Sequence, residues 1–333
     1  MTVFDLDPLL RRIEQAIQRH ALAEPGLFAR WTIPGAGRDL GPNAYGCADA
    51  VNLMYTLGCL PREAAARSAL VSGLERLQDF ATGLFREATH HEIHTTAHCV
   101  AALELLDARP GHPLSALARL ARIEAVEPFL EALDWKTNPW AEAHRGAGLY
   151  AALVLTEGSS SAWDDRYFGW LERAWDPVSG LLRRGCVPAA DAGPAIFPHL
   201  AGTFHYLFNL EHARRPLPYA AALVDTCLEI HARASFPLAH YVGFAEIDWV
   251  YCLSRALRQS GHRFAEARAA LVGLAQRHVR FLESLDPLAH DGFDDLHALF
   301  GATCALAELQ SAVPGLLRSS RPLRLVLDRR PFI

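Results

Sequence analysis

"PREAAARSALVSGLERLQDF" (61–80) and "HTTAHCVAALELLD" (94–107) are helices of two different kinds. In the first, Pro61 opens a run filled by alanine and leucine, with Arg and Glu along one side. Such a helix keeps one wet face. The second has its polar residues at its N-terminal end and is apolar on nearly every side beyond. A helix of that kind is covered by protein all round.

The two kinds alternate along the chain. Segments 5–23, 61–80, 113–132, 216–232 and 262–284 read as outer helices. "NAYGCADAVNLMYTLG" (43–58), 94–107, "WAEAHRGAGLYAALVLTEG" (140–158), "HLAGTFHYLFNLEH" (199–212), "GFAEIDWVYCLSRALRQSG" (243–261) and "DGFDDLHALFGATCALAELQ" (291–310) read as inner ones. "LQDFATGLFREATHH", "LERAWDPVSGLLRRGC" and "FLESLDPLAHDGFDD" each place a Gly-containing turn after an outer helix. Internal similarity at roughly 45–60-residue spacing points to a repetitive helical architecture. The uniformly apolar inner helices, with no polar capping repeat, favour a closed ring over an open solenoid. The expectation is an all-α (α/α)6 toroid of six helical hairpins around a central cavity. It forms a single domain, 1–333, in which 5–23 is an outer N-terminal helix, 43–310 the hairpins and 311–333 a tail packed on the barrel.

Composition narrows the function. The chain has 333 residues, 51% apolar and 21% charged, with a formal charge of −5. This is an ordered globular protein without the basic field a nucleic-acid partner requires. No uncharged apolar run reaches the roughly 18–20 residues of a membrane span. The N-terminal twenty residues do not read as a signal peptide. Seven scattered cysteines without a C-x-x-C pair suggest reduced thiols in a cytoplasmic protein. A small-molecule substrate is the expected partner, and association with a second copy of the chain stays open.

Over residues 40–310 the pattern resembles the (α/α)6 toroid enzymes. These include six-hairpin glycosidases, uronyl hydrolases, sugar epimerases and the terpene-cyclase/prenyltransferase barrels. The segment "QDFATGLFREATHHEIHTTAHCVAAL" (78–103) is similar to the Gln…Gly-Leu-Phe…Thr-Ala repeat of the last group. The Asp-x-Asp-Asp acid motif of the cyclases is missing, and "DGFDD" (291–295) does not match it. The zinc set of the protein prenyltransferases is not evident either. The resemblance implies a cavity enzyme of open chemistry.

In such a ring the inner-helix N-termini share one rim, where free N–H groups favour anionic groups. The connection 176–199 is the longest there and reads as a lid or specificity wall. The catalytic candidates at the rim are Asp49, His94, His98, Asp248 and Asp294. Each is a carboxylate or imidazole in the first turns of an inner helix, suited to proton transfer. The substrate-binding candidates are Tyr45, Asn52, Trp140, His144, Arg145, His199, Tyr206 and Trp249. Tyr45, Asp49 and Asn52 share a helix face, Arg145 can grip a carboxylate, and on its helix His199 with Thr203 is preferred over His205. Structural readings compete for each: Asp49 and Asn52 as a helix tie, Arg145 as a partner of a local acid.

His94 and His98 supply only two metal donors, and "HEIHTTAH" (91–98) is not the His-Glu-x-x-His motif. No metal and no cofactor are therefore expected. The leading function is an acid/base enzyme on a carbohydrate or uronate-like polar substrate, as hydrolase, lyase or epimerase. A terpenoid cyclase, isomerase or dehydratase is the alternative, and a non-catalytic protein-binding scaffold a third reading.

Overall fold

The computed structural model describes residues 3–188, 193–234, 236 and 238–333, and the chain is predominantly helical. The inner helices are α2 (Ala44–Thr56), α4 (Glu92–Leu105), α6 (Pro139–Leu155), α8 (Phe197–His212), α10 (Ala245–Ser260) and α13 (Leu296–Ala312). Their outer counterparts are α1 (Asp7–His20), α3 (Ala64–Glu75), α5 (Ile123–Glu131), α7 (Ser161–Ala174), α9 (Ala220–Ala232) and α11 (Phe264–Ser284). The short α12 (Asp291–Asp294) precedes α13. A two-residue parallel pair, β1 (Phe4–Asp5) with β2 (Leu317–Arg318), ties the two ends of the chain together.

The alternation of the sequence is reproduced, with one addition. The outer helix α7 carries a mixed polar and aromatic pattern, "SAWDDRYFGWLERA", and the periodicity reading passed over it. Its buried Trp163, Tyr167, Phe168, Trp170 and Leu171 form the inward stripe. The outer segment 113–132 is shorter as a helix than its pattern implied, because a 3-10 turn at Ser115–Leu117 precedes α5.

Packing runs from neighbour to neighbour. Helix α2 packs on α4, α4 on α6, α6 on α8, α8 on α10 and α10 on α13, and α13 packs back on α2. The near-complete burial of α2, α4, α8 and α13 follows from contact on every side.

The outer-to-inner turns carry a repeat finer than the helices. Ala21 pairs with Phe28, Gln78 with Phe85 and Trp175 with Leu182, each as an isolated antiparallel bridge across seven residues. Gly26, Gly83 and Gly180 occupy the same place in these turns, all with positive φ. A Cβ on any of them would overlap backbone at or near the next outer element, at Ala69, Pro113 or Leu223 respectively. Only glycine satisfies both conditions. The backbone N–H after each Gly-Leu finds an acceptor on an inner helix. Phe85 donates to Thr96 Oγ1 (2.9 Å), Leu182 to Thr203 Oγ1 (2.8 Å) and Phe28 to Cys47 Sγ (3.3 Å). Each turn thereby joins one hairpin to the next.

The tail departs from the expectation of lying on the barrel. Arg330 and Phe332 are wholly buried. Arg330 donates to Asn52 Oδ1 of α2, and Asn209 Nδ2 of α8 donates to the Pro331 carbonyl at 2.9 Å. The tail enters between inner helices because small residues there leave space for Phe332, whose ring lies against Gly148. No described helix is long and apolar enough to cross a membrane, and the seven cysteines are free.

Candidate functional site

A cavity of about 440 Å³ opens at the starts of the inner helices. His90 and His91 come from the loop before α4, and His94 from its first turn. Trp140, Glu142, His144 and Arg145 come from the first two turns of α6. His205 of α8, Phe244 before α10, His297 of α13 and Ile333 complete the wall. Six imidazoles thus face one small volume.

Local chemistry sets their positions. The His91 ring caps α4 by accepting from Ile93 N–H at 3.1 Å, which starts the helix three residues before His94. Asp295 caps α13 through His297 N–H at 3.0 Å. It also accepts a two-pronged ion pair from Arg30, with both bonds at 2.9 Å. The start of α13 is therefore pinned, and His297 is its second residue.

Behind the wall, Asp49 of α2 is fully buried between two histidines. Its Oδ1 accepts from His98 Nε2 at 2.7 Å, and its Oδ2 accepts from His297 Nδ1 at 3.1 Å. Burial pushes the Asp49 carboxyl up, but the two imidazoles beside it win and hold it below the usual carboxylate range. Burial lowers His297 to about 4 against the opposing pull of Asp49, and lowers His98 as well. Asp49 is then an anion held by two neutral rings. With the proton of His297 on Nδ1, its Nε2 lone pair is turned to the cavity.

A second group stands beside it. One ring nitrogen from each of His90, His94 and His144 lies within 4.8 Å of the others. His90 Nδ1 is hydrogen-bonded to Thr89 Oγ1 at 2.7 Å, with Glu87 at 3.9 Å. His94 Nδ1 is hydrogen-bonded to the Tyr45 hydroxyl. His205 packs against His144 with its ring tilted, centroids 4.4 Å apart, and its Nδ1 donates to the Ala201 carbonyl at 2.7 Å. Burial, reinforced by the neighbouring rings, keeps His94 and His144 well below the ordinary histidine value. Burial lowers His205 to about 4 against the pull of the Ala201 carbonyl. These buried His/Asp clusters can act as proton carriers or as metal donors.

The residues singled out from the sequence divide into three sets. His94, Trp140, His144 and Arg145 line the cavity, and Arg145 is paired there with Glu142 at 2.9 Å. Tyr45, Asp49, Asn52 and His98 stand one layer behind it, joined to the wall or the tail by hydrogen bonds. Asp248, Asp294, His199, Tyr206 and Trp249 do not line it.

Asp294 instead accepts from the backbone of Thr32 (2.9 Å) and Ile33 (3.1 Å) and pairs with Arg38, anchoring the segment before α2. Trp249 Nε1 donates to the Cys227 carbonyl at 2.9 Å, joining α10 to α9. The Tyr206 ring packs on Trp135 and Tyr167. Asp248 is fully buried, and neither of its oxygens has a partner among the described residues. On α8 the preference for His199 with Thr203 is reversed. Thr203 faces the turn at Leu182, and His205, two residues further round the helix, reaches the cavity. The lid assigned to 176–199 includes 189–192, which lie outside the described residues.

The reading of the sequence did not single out His297. Its signal was available: a histidine in the first two turns of an inner helix, as His94 and His144 are. No family model matches this chain, and neither a curated protein nor a solved structure matches it.

Proposed function

We propose that this protein is an (α/α)6 toroid enzyme that moves a proton on a small polar substrate, of the carbohydrate or uronate kind, in the histidine-lined cavity. The return of α13 onto α2 supports the ring. One observation carries the chemistry: Asp49 fixes the tautomer of His297, and His297 lines the cavity. A buried carboxylate behind an imidazole orients the ring and stabilises the cation formed when the ring takes a proton.

The kind of reaction follows from the rest of the wall. Glycoside hydrolysis uses two carboxylates facing the bond. Among the described residues the wall offers one side-chain carboxylate, Glu142, and Arg145 neutralises it. A carbocation route suits the site less, because imidazole lone pairs would capture the cation. Abstraction of a proton next to a carboxylate or carbonyl fits best. The C–H proton passes to His297 Nε2 and the bonding electrons move onto the carbonyl oxygen. A proton then reaches the opposite face of that carbon from another acid or from water, giving epimerisation, or a β-substituent departs with its bonding electron pair as the carbonyl re-forms, giving elimination. Arg145 binds Glu142 through Nη1 and would meet the anionic group with its other N–H donors, and Trp140 and Phe244 supply aromatic faces for the ring.

Incubation with aldoses, sugar acids and uronate-ended oligosaccharides in D2O, followed by NMR, tests this reading. Washout of one C–H signal, or formation of an unsaturated product, is expected with the wild type. Neither should occur with a folded His297→Gln variant. Absence of exchange and product across the whole panel, or full activity in that variant, would overturn the proposal.

A further inference from the structure

We propose that His90, His94 and His144 bind a divalent transition-metal ion of the zinc class at the cavity wall, leaving at least one coordination position open to the cavity. The helical spacing of His94 and His98 argued against a metal because it supplies two donors. The tertiary structure assembles a different set, from the loop before α4, from α4 and from α6.

Three observations point to a cation. First, the donor atoms lie within 4.8 Å of one another. Three imidazoles around tetrahedral zinc, at Zn–N distances of about 2.0–2.1 Å, place their nitrogens about 3.4 Å apart. Modest ring movements close that gap. Second, the far side of two of the rings is tied back. His90 Nδ1 is held by Thr89 with Glu87 behind it, and His94 Nδ1 is held by the Tyr45 hydroxyl. Metal-bound histidines are oriented in this way, through the nitrogen that does not bind. With Nδ1 so engaged on His90 and His94, their Nε2 atoms are the ones left to bind an ion. Third, the rings of His90, His94 and His144 adjoin, with centroids 4.8 and 4.3 Å apart along the row, yet no hydrogen bond links one to another among the described residues. His205 also commits its N–H to the Ala201 carbonyl, so it adds a further lone pair, not a proton. A positive ion between the rings would satisfy the three ring nitrogens at once.

The other cluster does not compete as a site. Asp49, His98 and His297 are fully or almost fully buried and satisfy one another through N–H···O bonds of 2.7 and 3.1 Å. A metal there would have to displace both protons. All three of His90, His94 and His144 line the cavity, whereas of the other cluster only His297 does, and the cavity provides an entry path and the open position. That pattern, three protein ligands and one free position, belongs to catalytic rather than structural zinc.

Calorimetric titration of chelator-treated full-length protein with ZnCl2, and separately with CoCl2, is the test. One equivalent of either ion is expected, and the cobalt form should show the intense visible absorption of a four- or five-coordinate nitrogen site. His144→Asn should abolish stoichiometric binding, and Tyr45→Phe should weaken it about 10–100-fold. In the wild-type cobalt protein, proton NMR should show three paramagnetically shifted imidazole N–H signals that vanish in D2O, a readout that does not depend on any variant folding. Absence of stoichiometric binding would overturn the site. So would unchanged binding in folded His144→Asn, or loss of binding in His98→Gln alone, which would move the metal to Asp49. These readouts are independent of turnover, so failure here leaves proton transfer by His297 to be judged separately by deuterium exchange.

Discussion

Asp49 and His297, 248 residues apart in the chain, share a 3.1 Å hydrogen bond that joins the first inner helix to the last. The same bond orients a cavity-lining imidazole, so the packing of α13 on α2 and the preparation of the site meet at one contact.

Replacing Asp49 by Asn should damage the chemistry far more than substrate binding. The amide can present N–H where a carboxylate oxygen stood, which favours the opposite His297 tautomer and withdraws the lone pair from the cavity. Loss of a proton-transfer group typically lowers turnover by about 10²–10⁴-fold. Deuterium-exchange rates measured beside substrate affinity will check this; a parallel loss of affinity, or no loss of rate, would argue against the role.

Acid should destabilise the fold from near-neutral pH downward. Burial lowers His205 and His297 to about 4 and keeps His94, His98 and His144 below their ordinary value. In the unfolded chain histidines take up protons near about pH 6.5. Between about 6.5 and 4 the unfolded state therefore binds more protons, and stability falls as pH falls. Asp49, depressed in the folded state, adds to this below about pH 4, where its stabilisation is lost on protonation. Urea midpoints of chelator-treated protein should fall steadily from pH 7 to pH 5. A flat profile would mean that the rings are solvated.

Asp248→Asn should make the protein more stable at pH 7. Burial, with Glu246 nearby, raises the Asp248 carboxyl well above its ordinary value. The unfolded carboxyl ionises near about pH 3.9, so holding it neutral in the fold becomes more unfavourable as pH rises above that point. Asparagine removes this pH-dependent penalty, and the advantage of the variant should vanish toward about pH 4. Denaturation of both proteins at pH 4 and 7 measures the difference; a variant less stable at pH 7 would show that Asp248 has a partner in solution.

Alanine at Gly26, Gly83 or Gly180 should destabilise by roughly 2–4 kcal/mol, combining the left-handed backbone penalty with overpacking against the next outer element. Gly185, also at positive φ but facing open space, is the control and should lose less. Equal losses at all four positions would show that backbone strain alone matters.

Phe332→Ala should lower stability by about 3–5 kcal/mol, as truncation of a buried aromatic does. Its ring lies against His94, His205 and Phe208, so the cavity should also deepen. Denaturant unfolding and the uptake of small apolar probes will report both effects.

Much of this fold was legible in the residues. The wet-faced helices and the uniformly apolar ones differ in local hydrophobic period, which needs no tertiary information to read. The Gly-Leu turns after α3 and α7 were visible for a similar reason, since positive φ at a crowded position admits little but glycine; the matching turn at Gly26 was passed over, and Gly292, read as a third, lies in the short α12 without positive φ. Helix α7 was obscured because its aromatic residues blur the charge pattern that marks an outer helix.

The site was legible only in part. By itself the sequence determined which residue types begin each inner helix, histidines and carboxylates among them. Which of them meet was decided by the tertiary structure. Asp49 reaches His297 because α13 packs back on α2, and His144 reaches His94 because α4 and α6 lie side by side. Spacing along one helix reports which residues share a face. The rotation of that face relative to its neighbours comes from side-chain packing along the whole interface, which no local pattern encodes. That rotation turned His205 to the cavity in place of His199 and left Asp248 behind its wall.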